Sequence, residues 1–314
     1  MKGTVIRNTG SAYTVRTDGG EEVSCRIKGN FRIKGIRTTN PVAVGDRVVF
    51  DEPGPDGVAL ITAIEPRRNY IIRRASNLSK AASIIAANVD AALLVVTLAH
   101  PSTSTTFIDR FLATARAYGV PAILAINKTD LLDDAESREL LDAVAYLYRS
   151  IGYQVAEVSA KTGLGLDGLR QLLAGKTTLF SGNSGVGKSS LINALVPGLQ
   201  LRTAKISDAH DTGMHTTTFS EMYPLPGGGN IIDTPGVRGF GTVDFDRAEV
   251  GHFFPEIFEE SHNCRFSNCT HTHEPGCAVL AAVDDCRIAA SRYNSYLSIV
   301  NDTDDEPDKY RKPQ

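Results

Sequence analysis

Along the first 65 residues, apolar and polar positions alternate in short runs broken by turn residues. The runs 4–7, 12–15, 22–27, 46–50 and 59–64 carry the two-residue period of half-buried strands, and Asp18-Gly19-Gly20 and the segment 53–57 punctuate them. Five short strands in so little chain predict a small closed barrel of the OB type, although an SH3-like barrel would give nearly the same pattern. Residues 66–74 read as a basic linker. From about residue 85 the texture changes. The run 89–98 is almost continuously apolar, as a strand buried on both faces must be. Helical spacing follows at 104–118, with Phe107, Phe111, Leu112 and Ala115 on one face. Strands are then expected at 121–126, 153–158 and 177–181, alternating with helices at 135–150, 166–174 and 190–195. That alternation predicts a parallel sheet with helices on both faces. The runs 219–225 and 230–232 flank Pro226-Gly227-Gly228-Gly229 and predict a hairpin, and 279–300 predicts one helix with Val279, Val283, Ile288 and Tyr296 among its apolar positions. The acidic tail 302–308 has the composition of a disordered segment. The expected chain is multidomain: an all-β barrel over 1–65, an α/β domain over 66–242 and a mainly helical domain over 243–314.

Composition narrows the setting. The 314 residues are 42% hydrophobic, enough for two or three cores. No apolar run approaches the length of a membrane span, and residues 1–6 lack the apolar stretch of a signal peptide, so a cytoplasmic monomer with no membrane partner is expected. The net charge of −3 is unevenly placed: residues 1–80 hold 14 Lys and Arg against 8 Asp and Glu, or +6, leaving −9 for the rest. A basic N-terminal part on an acidic chain predicts a polyanionic partner for that part. Arg26, Lys28, Arg32, Lys34 and Arg37 follow one another with no acid between them, and Phe31 interleaves them. Phosphate contacts beside an aromatic stacking platform suit RNA.

The candidate chemistry centres on Gly182-Asn183-Ser184-Gly185-Val186-Gly187-Lys188-Ser189, which fits the phosphate-binding loop G-x-x-x-x-G-K-[ST], with Ser190 next to it. The glycines let successive N–H groups face one anion, and the following helix adds the positive end of its dipole. Lys188 is suited to the β- and γ-phosphates and the Ser189 hydroxyl to Mg²⁺. Two further motifs fall after predicted strands, where ligands bind in such sheets. In Asn127-Lys128-Thr129-Asp130 the Asp130 carboxylate can accept from N1–H and the 2-amino group of guanine, and the Lys128 stem can cover the ring. In Ser159-Ala160-Lys161 the Ala160 N–H can donate to the guanine O6. Adenine would leave these groups unpaired. Asp233-Thr234-Pro235-Gly236 supplies a carboxylate for the magnesium shell and a Gly236 N–H for the γ-phosphate. One of Thr216, Thr217 and Thr218 is expected to close on Mg²⁺ and the γ-phosphate, with Thr217 favoured.

Two features are unusual. The guanine-reading motifs precede the phosphate loop, which a circular permutation of the domain explains without changing a contact. And Val237 stands where Ras-like enzymes carry a water-orienting glutamine, so intrinsic hydrolysis should be slow. His215 is the nearby candidate for that task. A γ-phosphate-sensitive segment also runs directly into the C-terminal domain, which is expected to change position with nucleotide state.

In the C-terminal region, Cys264, Cys269, His271 and Cys277 give the pattern C-x4-C-x-H-x5-C. Three thiolates and an imidazole suit one tetrahedral, structural Zn²⁺ with no open position. His262, His273 and Cys286 are nearby alternatives as ligands.

Taken together, these motifs resemble the circularly permuted GTPases that assist maturation of the small ribosomal subunit. That family has a barrel, a permuted GTPase domain and a zinc module in this order, and the resemblance covers nearly the whole chain. It implies binding to the small subunit and its rRNA, and hydrolysis of GTP to GDP and phosphate late in assembly, stimulated by that particle. The alternative is a nucleotide-gated rRNA-binding module in which hydrolysis is incidental, a reading that Val237 keeps open. A kinase is disfavoured by the guanine motifs.

Overall fold

The computed structural model describes residues 1–10, 12–27, 41–74, 82–201, 203, 220–234 and 245–302. The barrel consists of β1 (Lys2–Asn8), β2 (Tyr13–Thr17), β3 (Glu22–Ile27), β4 (Arg47–Phe50) and β5 (Val58–Ile64). β1 pairs antiparallel with both β2 and β4, β2 with β3, and β4 with β5, while β3 and β5 run parallel. The ring 1-2-3-5-4 is closed and has the connectivity of an OB barrel. Its filling follows the two-residue period: Tyr13 and Val15, Val48 and Phe50, and Ala59 and Ile61 point inward around Val5 and Cys25. Of the basic stretch, Arg26 is exposed on β3, whereas Lys28, Phe31, Arg32, Lys34 and Arg37 lie outside the described residues.

The expected linker at 66–74 is replaced by structure. β6 (Tyr70–Arg74) and β7 (Ala82–Ala87) form a two-stranded antiparallel sheet. The reason is the apolar Tyr70-Ile71-Ile72, whose Ile71 is fully buried opposite Ala86. Arg67 is not a free basic group either: its guanidinium grips buried Asp46 through Nε–Oδ1 and Nη2–Oδ2, each 2.6 Å.

The α/β domain contains β8 (Ala91–Val96), α1 (Thr105–Ala117), β9 (Ala122–Ile126), α2 (Ala135–Ser150), β10 (Gln154–Glu157), α3 (Leu166–Leu173), β11 (Thr177–Gly182), α4 (Lys188–Leu195), β12 (Glu221–Pro224) and β13 (Asn230–Asp233). The sheet order is β10-β9-β8-β11-β13-β12, parallel except for β12. The continuous apolar run of β8 is explained by its two faces. Ala92, Leu94 and Val96 pack with the core under α1 and α2, and Ala91, Leu93 and Val95 with the core under α3 and α4. The edge strand β12 meets β1 at Arg7 and Glu221, so the barrel continues the same sheet.

The helix expected over 279–300 is two helices, α6 (Ala278–Asp284) and α7 (Ala290–Asp302), with α5 (Pro255–Ser261) before them. Cys286 adopts a left-handed φ of 58°, and the Arg287 N–H donates back to Ala282 O at 2.8 Å. This reversal buries Ile288 among Val279, Ala282 and Phe254, which a continuous helix would not do.

Candidate functional site

The C-terminal ends of β8, β9, β10, β11 and β13 share one edge of the sheet, and every motif loop leaves from that edge. Gly182 closes β11, and a Cβ there would stand 2.6 Å from Val95 O. Gly185 and Gly187 have φ of 85° and 84°, so the phosphate loop bends where L side chains are disfavoured. A Cβ on Gly187 would meet Asn127 Nδ2 at 2.6 Å. The loop is thus a backbone cradle, and this donor set fits a polyphosphate.

Asn127 joins the loops. It is 2% exposed; its Nδ2 donates to Val186 O at 2.9 Å, and its Oδ1 accepts from Ala160 N at 3.1 Å. One amide therefore ties the loop at 182–189 to the loops that follow β9 and β10, across 59 and 33 residues of sequence. The Ala160 N–H, expected to face a base, is engaged by Asn127 instead. Asp130 is oriented by the Ser159 hydroxyl at 2.6 Å, with Lys161 Nζ 3.8 Å from its other oxygen. Ser159 Oγ in turn accepts from Thr162 N at 3.1 Å. Lys128 has a φ of 62° and donates to His100 O at 2.5 Å. Burial lowers its ammonium below the usual lysine value, against the opposing pull of Asp130.

Lys188 opens α4 and pairs with Asp233 at the end of β13. Thr234 anchors that end, its hydroxyl donating to Phe180 O at 3.1 Å. Ser189 and Ser190 are half-buried in the first turn of α4, whereas Asn183 is half-buried and Ser184 exposed in the loop. Thr217, His215, Gly236 and Val237 lie outside the described residues.

Cys264, Cys269, His271 and Cys277 converge, with one ligand atom of each within 4.8 Å of all the others. Cys264 Sγ lies 3.9 Å from Cys277 Sγ, and His271 Nδ1 lies 3.6 Å and 3.5 Å from these two sulfurs. A tetrahedron with metal–sulfur bonds of about 2.3 Å has edges of about 3.8 Å, so the set fits a zinc-sized cation. Burial lowers the His271 pKa, which keeps its ring neutral for ligation. Of the alternative ligands, His273 is turned to Thr272 Oγ1, His262 packs edge-on against Phe258 and Cys286 is exposed. Sequence reasoning missed the supports: the Tyr293 and Tyr296 hydroxyls donate to His271 O and Thr270 O, each at 2.7 Å. Glu274 accepts from the N–H groups of Thr270, Thr272 and His273.

Among protein-family models, the one described as RsgA GTPase matches residues 64–243 and the one described as RsgA N-terminal domain matches residues 2–58. A Bacteroides fragilis protein named small ribosomal subunit biogenesis GTPase RsgA is 59% identical over 313 residues, covering 99% of both chains. The Porphyromonas gingivalis protein of the same name is 59% identical over 315 residues, again covering 99% of both. Among solved structures, YjeQ from Thermotoga maritima matches with a TM-score of 0.79 at 33% identity, covering 98% of this chain and 99% of that one. YloQ, described as a circularly permuted GTPase, matches with a TM-score of 0.73 at 33% identity, covering 100% and 96%.

Proposed function

The chain belongs to the RsgA family of GTPases, and on that premise we propose that it hydrolyses GTP to GDP and phosphate in the service of small ribosomal subunit maturation. The observation that carries the residue-level reading is the Asn127 amide, which draws the base-reading and phosphate-reading loops of a permuted chain to one sheet edge. In this reading Asp130, held by Ser159, accepts from N1–H and the 2-amino group of guanine, and the Lys128 stem lies along the ring. The backbone of 183–187 wraps the phosphates, and Lys188 leaves Asp233 to neutralise the β- and γ-oxygens. Ser189, Asp233 and Thr217 would hold Mg²⁺, which would supply charge neutralisation on the phosphates. The Gly236 N–H would meet the γ-phosphate, and His215 would substitute for the glutamine replaced by Val237.

The Cys264–Cys269–His271–Cys277 set would hold one Zn²⁺ as a structural ion, since all four ligands come from the protein. The basic barrel would bind rRNA of the subunit, with Arg26 on its outer surface. We assign the protein to the cytoplasm as a monomer. No helix among the described residues is long and apolar enough to cross a membrane.

The test is GTP turnover by the full chain with and without purified small subunits. Stimulation by the subunit supports the reading, and turnover that ignores it favours a nucleotide-gated binding module. Co-sedimentation with small subunits that depends on a non-hydrolysable GTP analogue identifies the partner independently.

A further inference from the structure

The largest fully buried side chain among the described residues is not apolar. Arg292 of α7, in the metal-binding module, is 1% exposed and lies against α1 of the α/β domain. Its Nη1 donates to Asp109 of α1 at 2.7 Å, and Asp109 is itself 0% exposed. Its Nε and Nη2 fork onto Glu256 of α5 at 2.6 Å and 3.2 Å, and its guanidinium covers the Phe254 ring at 4.5 Å. Tyr148 of α2 donates to the same Asp109 oxygen at 2.7 Å. Burying this much charge is costly, and hydrophobic residues of similar volume would hold two domains together as well or better. What the ions add is geometry: the fork onto Glu256 sets the guanidinium within the module, and the remaining Nη1 bond to Asp109 then fixes the position of α1 to within a hydrogen bond.

The position of α1 matters because of what precedes it. Asp109 lies about 7.5 Å along the helix from the N-cap Ser104. The connection 97–104 is tied internally, with Thr103 N donating to Thr97 O at 2.8 Å and Thr97 Oγ1 to Pro101 O at 2.5 Å. At its tip His100 O accepts from Lys128 Nζ, and the Pro101 ring abuts the phosphate loop, 3.3 Å from where a Gly185 Cβ would stand. A shift of α1 therefore moves a braced loop that touches both the base-reading lysine and the phosphate cradle.

We propose that Arg292 is a positioning residue for guanine nucleotide: from the metal-binding module it clamps α1 through Asp109 and so holds the 97–104 loop against Lys128 and Gly185. The proposal rests on the nucleotide reading given above. It makes α1 a second route between the module and the nucleotide, separate from the chain that follows Asp233. By linkage, nucleotide must then stiffen α7 as much as the clamp tightens nucleotide binding.

The experiment titrates fluorescently labelled GDP into the full, zinc-loaded chain and into two variants. One is Arg292→Met. The other is the neutral triple Asp109→Asn, Glu256→Gln, Arg292→Gln, which removes the clamp without burying an unpaired charge and so reads the proposal even where the single variant fails to fold. Binding weakened about 10-fold in a folded, zinc-loaded variant is expected. Hydrogen exchange is read alongside: GDP should slow exchange across 290–302 in the unaltered chain and not in the triple variant, while the Thr103 amide exchanges faster in the variant. A purely structural clamp would lower the thermal midpoint and move neither the affinity nor the GDP-dependent protection. Folded variants with unchanged GDP affinity and unchanged protection overturn the proposal. Failure of the unaltered chain to bind GDP at all removes the nucleotide reading and this proposal with it.

Discussion

At the residue scale, the site depends on one amide side chain. Replacing Asn127 by Ala removes the bonds to Val186 O and Ala160 N and leaves one buried and one half-buried backbone group unpaired. A buried orphaned group costs about 1–3 kcal/mol, so GDP affinity should fall by about 10-fold or more in an equilibrium titration. A smaller loss would mean that the loops hold their places without the latch. Asp130→Asn tests the base directly. The amide puts a donor where guanine presents donors, so GTP binding should drop by about 100-fold or more. Xanthine, whose C2 carbonyl accepts from the new amide where the carboxylate repelled it, should bind more tightly, which competition between the two nucleotides measures. The residue types proposed for this site are ones that the chemistry singles out in a sequence: a carboxylate for guanine, a lysine and glycines for phosphate. The latch was not legible, because both partners of Asn127 are backbone atoms far away in sequence, and neither advertises itself in composition. Arg67 was hidden for a different reason: its partner is a side chain, the Asp46 carboxylate of the barrel, and nothing local pairs the two. Of this pair the sequence shows only a basic and an acidic position.

At the scale of elements, periodicity located the sheet and the helices flanking it, because β8, α1 and β11 carry unbroken patterns of buried positions. It failed where an element ends without a break in apolar content. Val279, Val283 and Ile288 carry apolar content on past residue 285 with no Gly or Pro between them, yet the chain turns at Cys286. The turn is paid for by burying Ile288 in the module core, a tertiary gain invisible to a local pattern. The metal-ligand loop is the element most dependent on something outside the polypeptide. Its backbone is gripped from α7 by Tyr293 and Tyr296, so the loop and the helix should loosen together. Chelation of the metal, or Cys269→Ser, should raise hydrogen exchange across 290–302 and lower the thermal midpoint by several degrees, as loss of a structural ion does. The central sheet should keep its protection. Protection of 290–302 that survives chelation would show that the module core alone supports α7.

At the scale of the whole molecule, the order of motifs disclosed the permutation, but nothing in the sequence disclosed how firmly the barrel is set on the α/β domain. The strands β1 and β12 meet at one residue pair, Arg7 and Glu221, which also form an ion pair. The closer contact is made by a loop of the barrel against β7. Ala87 N donates to Val44 O at 2.9 Å, and Asn88 Nδ2 to Gly45 O at 3.0 Å. Gly45 permits this approach. Its φ is 93°, and a Cβ would lie 2.0 Å from Ala87 O, so no side chain fits. Gly45→Ala must therefore break the contact or strain the turn, at a cost of more than about 1 kcal/mol. The consequence for function depends on what the barrel does. If it presents an RNA-binding surface to the subunit while the nucleotide sits elsewhere, a barrel freed to swing should leave intrinsic GTP turnover unchanged. Stimulation by small subunits should fall, because the two surfaces no longer arrive in register. Small-angle scattering should show a larger radius of gyration, and limited proteolysis should cut near residues 65–69, now unprotected. Full stimulation from a variant whose barrel has demonstrably come loose would show that barrel and nucleotide site act on the particle independently.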